Sequence, residues 1–261
     1  MKDDAPLLAC RDLTVSVPGR TLVEGLILEL SPGEFLAVLG RNGTGKTLTL
    51  HTLAGLRAPA AGEVRLRGER LEALPRRRIA RELALLTQAS EDVFPATVLE
   101  TVLIGRHPHI ATFGRETGED RRIAREALGS VSLADFVARE VGTLSGGERR
   151  RVAVAQVLAQ APAICLLDEP TNHLDPQHQL EVLEVFRARA DAGAAVVASL
   201  HDVNLAVSYA RRCLLLFGDG RWELGPTAAV LDEERLSALY CTPMEALRWR
   251  DRDVFMARGR A

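Results

Sequence analysis

Several features that would place a protein in a specialised class are missing from this sequence of 261 residues. The 33 Lys and Arg side chains nearly balance the 35 Asp and Glu side chains, so the composition predicts no nucleic acid or anionic membrane surface as a general partner. The four cysteines are far apart and form no Cys-x-x-Cys pair, which favours a reduced interior over a disulfide framework or a thiolate metal site. What remains is an ordinary globular composition, with 47% hydrophobic and 26% charged residues.

Long apolar segments are missing as well. The longest ones, residues 194–200 and 214–217, fall far below the roughly 18–20 apolar residues that span a bilayer. The first four residues lack the basic and then apolar order of a secretory signal. We therefore expect a cytoplasmic protein that would serve any membrane process from the inner face, through partners.

Two kinds of apolar pattern predict an α/β fold. Residues 7–17 and 21–30 alternate apolar and polar side chains around a Pro-Gly pair, which predicts two antiparallel strands. Residues 35–39, 164–167 and 194–200 are apolar throughout, as in strands that are buried on both faces of a parallel sheet. Charged residues follow the last two runs, at the strand ends where parallel sheets place their sites.

Helical periodicity replaces the strand pattern between about residues 88 and 158. Residues 98–104, 120–128 and 148–158 are candidate helices, and residues 106–118 read as a loop between two of them. We interpret this segment as a helical subdomain that is inserted into the domain formed by the rest of the chain.

The carboxyl-terminal part is predicted to complete the same domain, which then spans residues 1–261. Residues 214–224 resemble a hairpin around Gly218-Asp219-Gly220, and residues 232–240 resemble a short helix. The tail from Arg248 onward shows little pattern.

A phosphate-loop pattern, G-x-x-x-x-G-K-[ST], lies between the apolar run at 35–39 and a helix-like stretch. Glycines let the backbone wrap closely around a phosphate, so that amide N–H groups and the positive end of the helix face the anion. Lys46 adds a charge that reaches the β- and γ-phosphates, and the Thr47 hydroxyl can bind Mg²⁺. This strand-to-helix context argues against a glycine-rich turn without function. The predicted contacts are Gly40, Arg41, Asn42, Gly43, Thr44, Gly45, Lys46 and Thr47.

Two carboxylates follow the apolar run at residues 164–167. Asp168 suits a role at Mg²⁺, through water, because this ion prefers few carboxylates and retains several waters. Glu169 is one residue further, where its carboxylate can meet the water that attacks the γ-phosphate. A strand that ends in two acids is common, and only the phosphate loop upstream gives this pair its meaning.

A second candidate anion site is Leu144-Ser145-Gly146-Gly147-Glu148, directly before a helix. A serine hydroxyl, two glycine amides and a helix amino terminus can together hold an anion. The segment also resembles the signature of the ATP-binding-cassette (ABC) family, and with the two motifs above the chain is identified as a member over essentially its whole length. The resemblance implies an α/β P-loop NTPase core with a mostly parallel sheet, an antiparallel β-subdomain and an inserted helical subdomain. It also implies ATP and Mg²⁺ as ligands.

The resemblance further implies that two chains act together. A single γ-phosphate does not need two anion sites, or cradles, from the same chain. In the family, the second cradle covers the nucleotide that is held by a partner's phosphate loop. Ser145, Gly146 and Gly147 would therefore act across an ATP-sandwich homodimer. Asp175, in a segment that resembles the D-loop, would contact the opposite protomer.

Two more residues match motifs of the family. Gln88 follows the apolar strand at residues 83–86 and resembles the Q-loop glutamine, which touches Mg²⁺ and the attacking water. His201 follows the strand at residues 194–200 and resembles the switch histidine that contacts the γ-phosphate. Catalysis is thus predicted for Glu169, His201 and Gln88, and the Mg²⁺ contacts for Thr47, Gln88 and Asp168. Without the family resemblance, a lone histidine after a strand more often has a structural role than a catalytic one.

One position departs from the family. Its members usually carry an aromatic residue near the end of the first strand to stack on adenine, whereas Ser16-Val17-Pro18 occupies that region here. Stacking on a base contributes roughly 1–3 kcal/mol, so the resemblance predicts weaker nucleotide binding and looser base selectivity at Val17, with hydrolysis itself unaffected.

Residues 97–108, 200–206 and 231–246 look like the importer subgroup for iron–siderophore complexes, haem and vitamin B12. The partners implied are transmembrane permease subunits and, indirectly, a periplasmic substrate-binding protein. A permease helix would dock in a groove near Gln88, lined by apolar residues of the segment 94–102. A non-import ABC ATPase, either an exporter subunit or a cofactor-assembly ATPase, stays open as the alternative.

Overall fold

The computed structural model of the protein describes residues 6–88, 95–111, 114–250 and 252–259. Within these residues the strands, in chain order, are β1 Leu8–Val17, β2 Arg20–Leu30, β3 Phe35–Leu39, β4 Ala61–Leu66, β5 Glu69–Arg70, β6 Leu83–Leu86, β7 Ile164–Leu167, β8 Ala195–Ser199, β9 Arg212–Leu216, β10 Trp222–Pro226, β11 Met244–Trp249 and β12 Arg252–Ala257. The α-helices are α1 Lys46–Leu53, α2 Arg76–Glu82, α3 Val98–Leu103, α4 Gly118–Gly129, α5 Gly146–Gln160, α6 Pro176–Asp191, α7 Val203–Tyr209, α8 Thr227–Val230 and α9 Glu233–Tyr240.

A six-stranded sheet in the order β10-β9-β3-β8-β7-β6 forms the centre of the molecule. Its strands run parallel except β10, which pairs antiparallel with β9. Alternate residues of one strand enter two different core clusters: Phe35 and Ala37 face one side, and Leu36 and Val38 face the other. Burial on both faces explains why the predicted strands are apolar throughout.

The antiparallel sheet covers one face of this centre, in the order β2-β1-β4-β5. The predicted hairpin of β1 and β2 is confirmed, and its register brings Val17 opposite Arg20. Strand β4, which pairs with β1, was not among the predictions. Buried side chains occur only among its last three residues. This apolar pattern is too short to predict a strand when its pairing with β1 is not known.

Three predicted helices between β6 and β7 are confirmed as α3, α4 and α5, which pack on one another. Each begins at a capping box, in which the side chain of the N-cap residue accepts from the third helical amide and the third side chain accepts in return. The N-cap residues are Thr97, Thr117 and Ser145.

The prediction that apolar residues of the segment 94–102 line a docking groove is wrong for Val98, Leu99 and Val102. These side chains are buried in the main core cluster, because they form the inward face of α3. Phe94 lies outside the described residues.

The carboxyl-terminal tail also differs from its prediction. Instead of a segment with little pattern, β11 and β12 form a two-stranded antiparallel hairpin. Phe255 of β12 is buried, and the Asn204 side chain of α7 accepts from its backbone N–H at 2.8 Å and donates to its carbonyl oxygen at 3.1 Å. The sequence does not predict this hairpin, because contacts with α7, and not an alternation of apolar and polar residues, hold it in place. The predicted hairpin at 214–224 and the helix at 232–240 are confirmed as β9–β10 and α9.

In the part of the chain that the structure describes, every helix is too short or too polar to cross a membrane.

Candidate active site

The phosphate loop, residues 40–47, leads from β3 into α1 through a turn that requires glycine. A Cβ at Gly40 would lie 2.6 Å from the Leu216 carbonyl oxygen and 2.6 Å from Thr44 Oγ1, which no real side chain tolerates. Gly45, the N-cap residue of α1, has a φ of 103° in the left-handed region. The chain therefore turns sharply at the amino end of α1, where the helix dipole favours an anion.

Lys46 places its ammonium group inside this loop. The side chain is buried, and Nζ donates to the carbonyl oxygens of Gly40 at 2.7 Å and Arg41 at 3.2 Å. Burial lowers the pKa of Lys46 below its ordinary value, and the nearby carboxylates of Glu169 and Asp168 partly offset this by favouring the charged form. A cation is thus held between the loop and the two acids.

Asp168 follows β7 and contacts the end of the neighbouring strand β8. Its Oδ1 accepts from the Ser199 hydroxyl at 2.7 Å, and the same Ser199 oxygen accepts from the Glu169 N–H at 2.8 Å. The other carboxylate oxygen of Asp168 is buried and has no hydrogen-bond partner among the described residues. Such an oxygen is suited to a hard cation or to water bound to one.

Glu169 is the point where several elements converge. Its backbone is left-handed, with a φ of 49°, a conformation that costs on the order of 1–3 kcal/mol in a residue with a side chain. Its carboxylate accepts from Gln88 Nε2 at 2.8 Å and from Asn172 Nδ2, and it lies 2.7 Å from His201 Nε2. The strained backbone therefore delivers one buried carboxylate to a set of polar partners.

A cavity of about 470 Å³ opens beside these groups. The Arg20 guanidinium on the β1–β2 hairpin is held at its rim, where Nε donates to the Gly218 carbonyl oxygen at 3.0 Å. The cavity lining consists of Val17, Arg20, Leu22, Asn42, Gly43, Gly45, Lys46, Thr47, Leu48, Gln88, Glu169, Asn172 and His201.

The second predicted anion site lies apart from this cavity. Ser145 and Gly146 are exposed at the start of α5, and a Cβ on Gly147 would lie 3.1 Å from the His173 carbonyl oxygen. Asp175 is the N-cap residue of α6 and accepts from the backbone N–H of His178 at 3.0 Å. None of the four predicted residues in this region is among the lining residues of the described cavity.

Comparison with known proteins shows which family the chain belongs to. The family described as ABC transporter matches residues 23–172. The chain belongs to the ABC transporter family. Hemin import ATP-binding protein HmuV of Gloeobacter violaceus is 46% identical over 222 residues, which are 82% of this chain and 80% of that protein. Cobalamin import ATP-binding protein BtuD of Halobacterium salinarum is 38% identical over 230 residues, 87% of this chain and 57% of that protein.

Solved structures show the same fold. A chain from a transporter assigned to the metal-chelate type, in an inward-facing conformation, has a TM-score of 0.84 at 29% identity and is matched over 97% of this chain and 98% of its own length. The bacterial ABC cassette MJ0796, solved as a dimer, has a TM-score of 0.72 at 27% identity over 83% and 97%. The predicted α/β P-loop NTPase fold is confirmed. The protein is thus an ATP-binding ABC ATPase whose hydrolysis is coupled to transport.

The ABC ATPase site holds groups that the sequence-based prediction missed. Asn172 lies close to Glu169 in the chain but was assigned no role, Ser199 is the last residue of a buried strand, and Arg150 lies within a predicted helix. The signal of the last two is weak because each acts on a residue far away in the chain: Ser199 on Asp168, 31 positions apart, and Arg150 on Glu169, 19 positions apart. A polar residue at the end of a buried strand was the one usable clue, since parallel sheets place sites there.

Among the described residues, no group of three or more His, Cys, Asp or Glu side chains is arranged to hold a metal ion. Mg²⁺ does not need such a group, because it is bound in nucleotide sites through one or two carboxylates, a hydroxyl and phosphate oxygens. The Asp168 oxygen that has no hydrogen-bond partner and the Thr47 hydroxyl at the cavity are oxygen ligands of the kind that Mg²⁺ prefers.

Proposed function

We propose that this chain is the ATP-hydrolysing subunit of a bacterial importer, and that Glu169 is the base of the reaction. The observation that carries the proposal is the convergence at Glu169: a buried carboxylate on a strained turn, in contact with Gln88 and His201, at the cavity that the phosphate loop lines. A general base must be within hydrogen-bond reach of the water that it deprotonates.

The other roles are proposed from the loop and the residues around it. Backbone amides of residues 40–47 and the Lys46 ammonium would hold the β- and γ-phosphates. Glu169 would accept the proton of the attacking water, Gln88 would orient that water, and the His201 imidazole would contact the γ-phosphate. Thr47, Gln88 and Asp168 would hold Mg²⁺, which supplies charge neutralisation on the phosphate oxygens when bound.

A second copy of the chain would complete each site. Ser145 and Gly146 are exposed at the amino end of a 15-residue helix. The Ser145 amide and hydroxyl oxygen take part in the capping box with Glu148, so the Ser145 hydroxyl hydrogen, the glycine amides and the helix dipole would meet an anion from outside the chain. We propose that Ser145, Gly146 and Gly147 cover the nucleotide of the partner, with Asp175 at the same interface. In this arrangement residues 1–261 act as one domain, and the helical subdomain, residues 88–158, carries the covering cradle.

Import, location and cargo are proposed from the relatives. Two of them are described as hemin import and cobalamin import ATP-binding proteins, which supports uptake of haem, cobalamin or a ferric siderophore. The chain would then act from the inner face of the cell membrane on separate permease subunits, with a periplasmic substrate-binding protein supplying the cargo.

A groove of about 650 Å³ between α2 and the segment after α3 is the docking site that we propose for the permease. Arg76 and Arg77 are among its lining residues, so it offers positive charge to the permease segment. It replaces the groove predicted at residues 94–102, where Val98, Leu99 and Val102 are buried. Arg76→Glu should reduce transport while ATPase activity persists; a loss of nucleotide binding would contradict this site.

The catalytic proposal is tested by two substitutions and a control. Glu169→Gln should bind ATP but lower kcat about 100-fold or more, because general-base catalysis contributes roughly 10²–10⁴-fold. Lys46→Ala should instead weaken nucleotide binding itself. Glu184→Gln, at an exposed position of α6, is the matched control and should hydrolyse ATP normally. Wild-type turnover by Glu169→Gln would show that the base is wrongly assigned.

The cargo is tested with the cognate permease in proteoliposomes. ATPase activity is measured with the binding protein loaded with a corrinoid, haem or a ferric siderophore, and the stimulating ligand is the cargo. If none of these ligands stimulates ATP hydrolysis and a substrate is instead carried outward from the cytoplasmic side, the chain is an exporter subunit. If no substrate is carried in either direction, the chain is better described as a cofactor-assembly ATPase.

A further inference from the structure

Arg150, on the second turn of α5, donates to three backbone carbonyls outside its own helix. Nη1 donates to the Thr87 carbonyl oxygen at 2.6 Å, and Nη2 donates to the carbonyl oxygens of Glu169 at 2.8 Å and of Asp168. Thr87 directly precedes Gln88. One guanidinium group therefore contacts the backbone of two of the three segments that carry the predicted catalytic side chains, those of Gln88 and Glu169.

This arginine is buried at 8% exposure, although burial disfavours its charged form and lowers the pKa of Arg150 to about 10. Arg106 is buried to the same degree but forms an ion pair with Asp120 at 2.9 Å. Arg150 instead takes neutral carbonyls. The arrangement uses the planar, forked geometry of the guanidinium, which a flexible ammonium group cannot reproduce.

The contact falls at a strained point of the backbone. Glu169 has left-handed backbone geometry, and such a residue keeps that conformation only when its surroundings hold it from several sides. Ser199 holds its N–H, Arg150 holds its carbonyl oxygen, and Gln88 and His201 contact its carboxylate. Of these partners, Arg150 alone lies on α5, the helix that begins at Ser145.

We propose that Arg150 is a positioning residue, which ties helix α5 to the Asp168–Glu169 turn and to Thr87 and so sets the direction of the Glu169 carboxylate. The inference rests on the proposed function of Glu169. It also connects the exposed start of α5, which would cover the partner's nucleotide, to the base of the chain's own site. Arg150 would act on catalysis without touching ATP.

The test compares substitutions at two neighbouring buried arginines of α5. Arg150→Met keeps the length of the side chain without its donors, and Arg150→Lys keeps the charge without the planar fork. Arg151→Met is the matched control, because Arg151 is equally buried and donates to carbonyl oxygens of Val131 and Ser132, away from the site. For each protein, kcat, KM for ATP, the affinity for a fluorescent ATP analogue and the melting temperature are measured.

Arg150→Met should lower kcat by about 10- to 100-fold, since a displacement of ~1 Å at a catalytic group can cost about 100-fold. Nucleotide affinity should stay within about threefold because the phosphate loop is untouched. Arg150→Lys should recover part of kcat. Arg151→Met should melt earlier by a similar amount but keep a kcat within about twofold of wild type.

The inference is overturned if both Arg150 variants keep a kcat within twofold of wild type, or if Arg151→Met loses kcat as much as Arg150→Met at an equal loss of melting temperature. It is also overturned if Arg150→Met loses nucleotide affinity in proportion to kcat. These outcomes are distinct from a failure of the proposed function, because that failure shows in Glu169→Gln turning over at the wild-type rate with Arg150 intact.

Discussion

Single side chains make the cavity well suited to phosphates and less suited to a base. The phosphate loop brings glycines, Lys46 and Thr47 to it, whereas the β1–β2 hairpin contributes Val17, Arg20 and Leu22. These three lining residues have no aromatic ring among them. The guanidinium of Arg20, held by the Gly218 carbonyl, is the one planar group that the hairpin adds to the described lining.

Val17→Tyr should therefore tighten nucleotide binding. A tyrosine ring at this position would stack on the base, and stacking contributes roughly 1–3 kcal/mol, so KM for ATP should fall about fivefold or more at unchanged kcat. Val17→Leu adds volume without a π face and should leave KM unchanged. Steady-state kinetics with ATP and GTP check this; equal KM values for Val17→Tyr and Val17→Leu would show that the base does not reach this residue.

At the scale of elements, the turn after α3 packs closely against helix α5 at a glycine. A Cβ on Gly105 would lie 2.2 Å from the Gln156 carbonyl oxygen of α5, so the absence of a side chain is what allows this contact. Arg106 next to it joins the same helices through Asp120 of α4 and the Ala159 carbonyl oxygen of α5. The close backbone contact at Gly105 and the buried Arg106–Asp120 ion pair thus add to the apolar core that the three helices share.

Gly105→Ala should push α3 away from α5 and lower the free energy of unfolding by about 1–3 kcal/mol, the usual cost of overpacking. Gly129→Ala is the control, because a Cβ there meets nothing within 4 Å and alanine favours the helix by up to about 1 kcal/mol. Urea unfolding of the two variants measures both effects. Equal stabilities would mean that the helices can separate at no cost.

The Arg106–Asp120 pair should also make stability depend on pH. Hydrogen bonds from Thr117, together with Arg106, hold the pKa of Asp120 at about 2, below its ordinary 3.8. Because the folded state binds the proton less readily, this contribution is complete above pH ~4 and is lost as the pH falls toward 2.

Asp120→Asn should consequently be less stable than wild type at pH 6, with a difference that shrinks as the pH is lowered through this window. Unfolding in urea at a series of pH values measures the difference. Asp135→Asn, at an exposed position, should show no such change. A gap between wild type and Asp120→Asn that stays constant down to pH 3 would contradict the assigned shift.

Two candidate anion sites lie at different places in the molecule. The first lines the cavity, and the second, at Ser145 and Gly146, is exposed at the start of α5. Under the proposed function, a cassette would use both only by pairing with a second copy.

Pairing is expected to be visible in the inactive variant. With ATP and Mg²⁺, Glu169→Gln should accumulate as a dimer of about twice the 28.4 kDa chain mass, because bound ATP holds the two chains together and is not hydrolysed. Adding Ser145→Arg should block this by filling the cradle, whereas adding Ser130→Arg, at the exposed residue that follows α4, should not. Light scattering after gel filtration measures the mass. A monomer in all three proteins would argue against the sandwich.

The sequence by itself determined the parts whose physics is local. The phosphate loop needs only neighbouring glycines, Lys46 and Thr47, and the β1–β2 hairpin needs alternation on both sides of a Pro-Gly turn, so both could be predicted from adjacent residues. The buried strands and α3 to α5 followed from apolar period alone.

Only the tertiary structure decided which distant groups meet. It placed Ser199 on Asp168, Arg150 against the Asp168–Glu169 turn and the final hairpin on α7. It also turned Val98, Leu99 and Val102 into the core and away from the proposed docking surface. A sequence pattern reports which side chains prefer burial or a turn. Which partner a buried polar group finds depends on packing between elements that are far apart in the chain, and that is not written in any local segment.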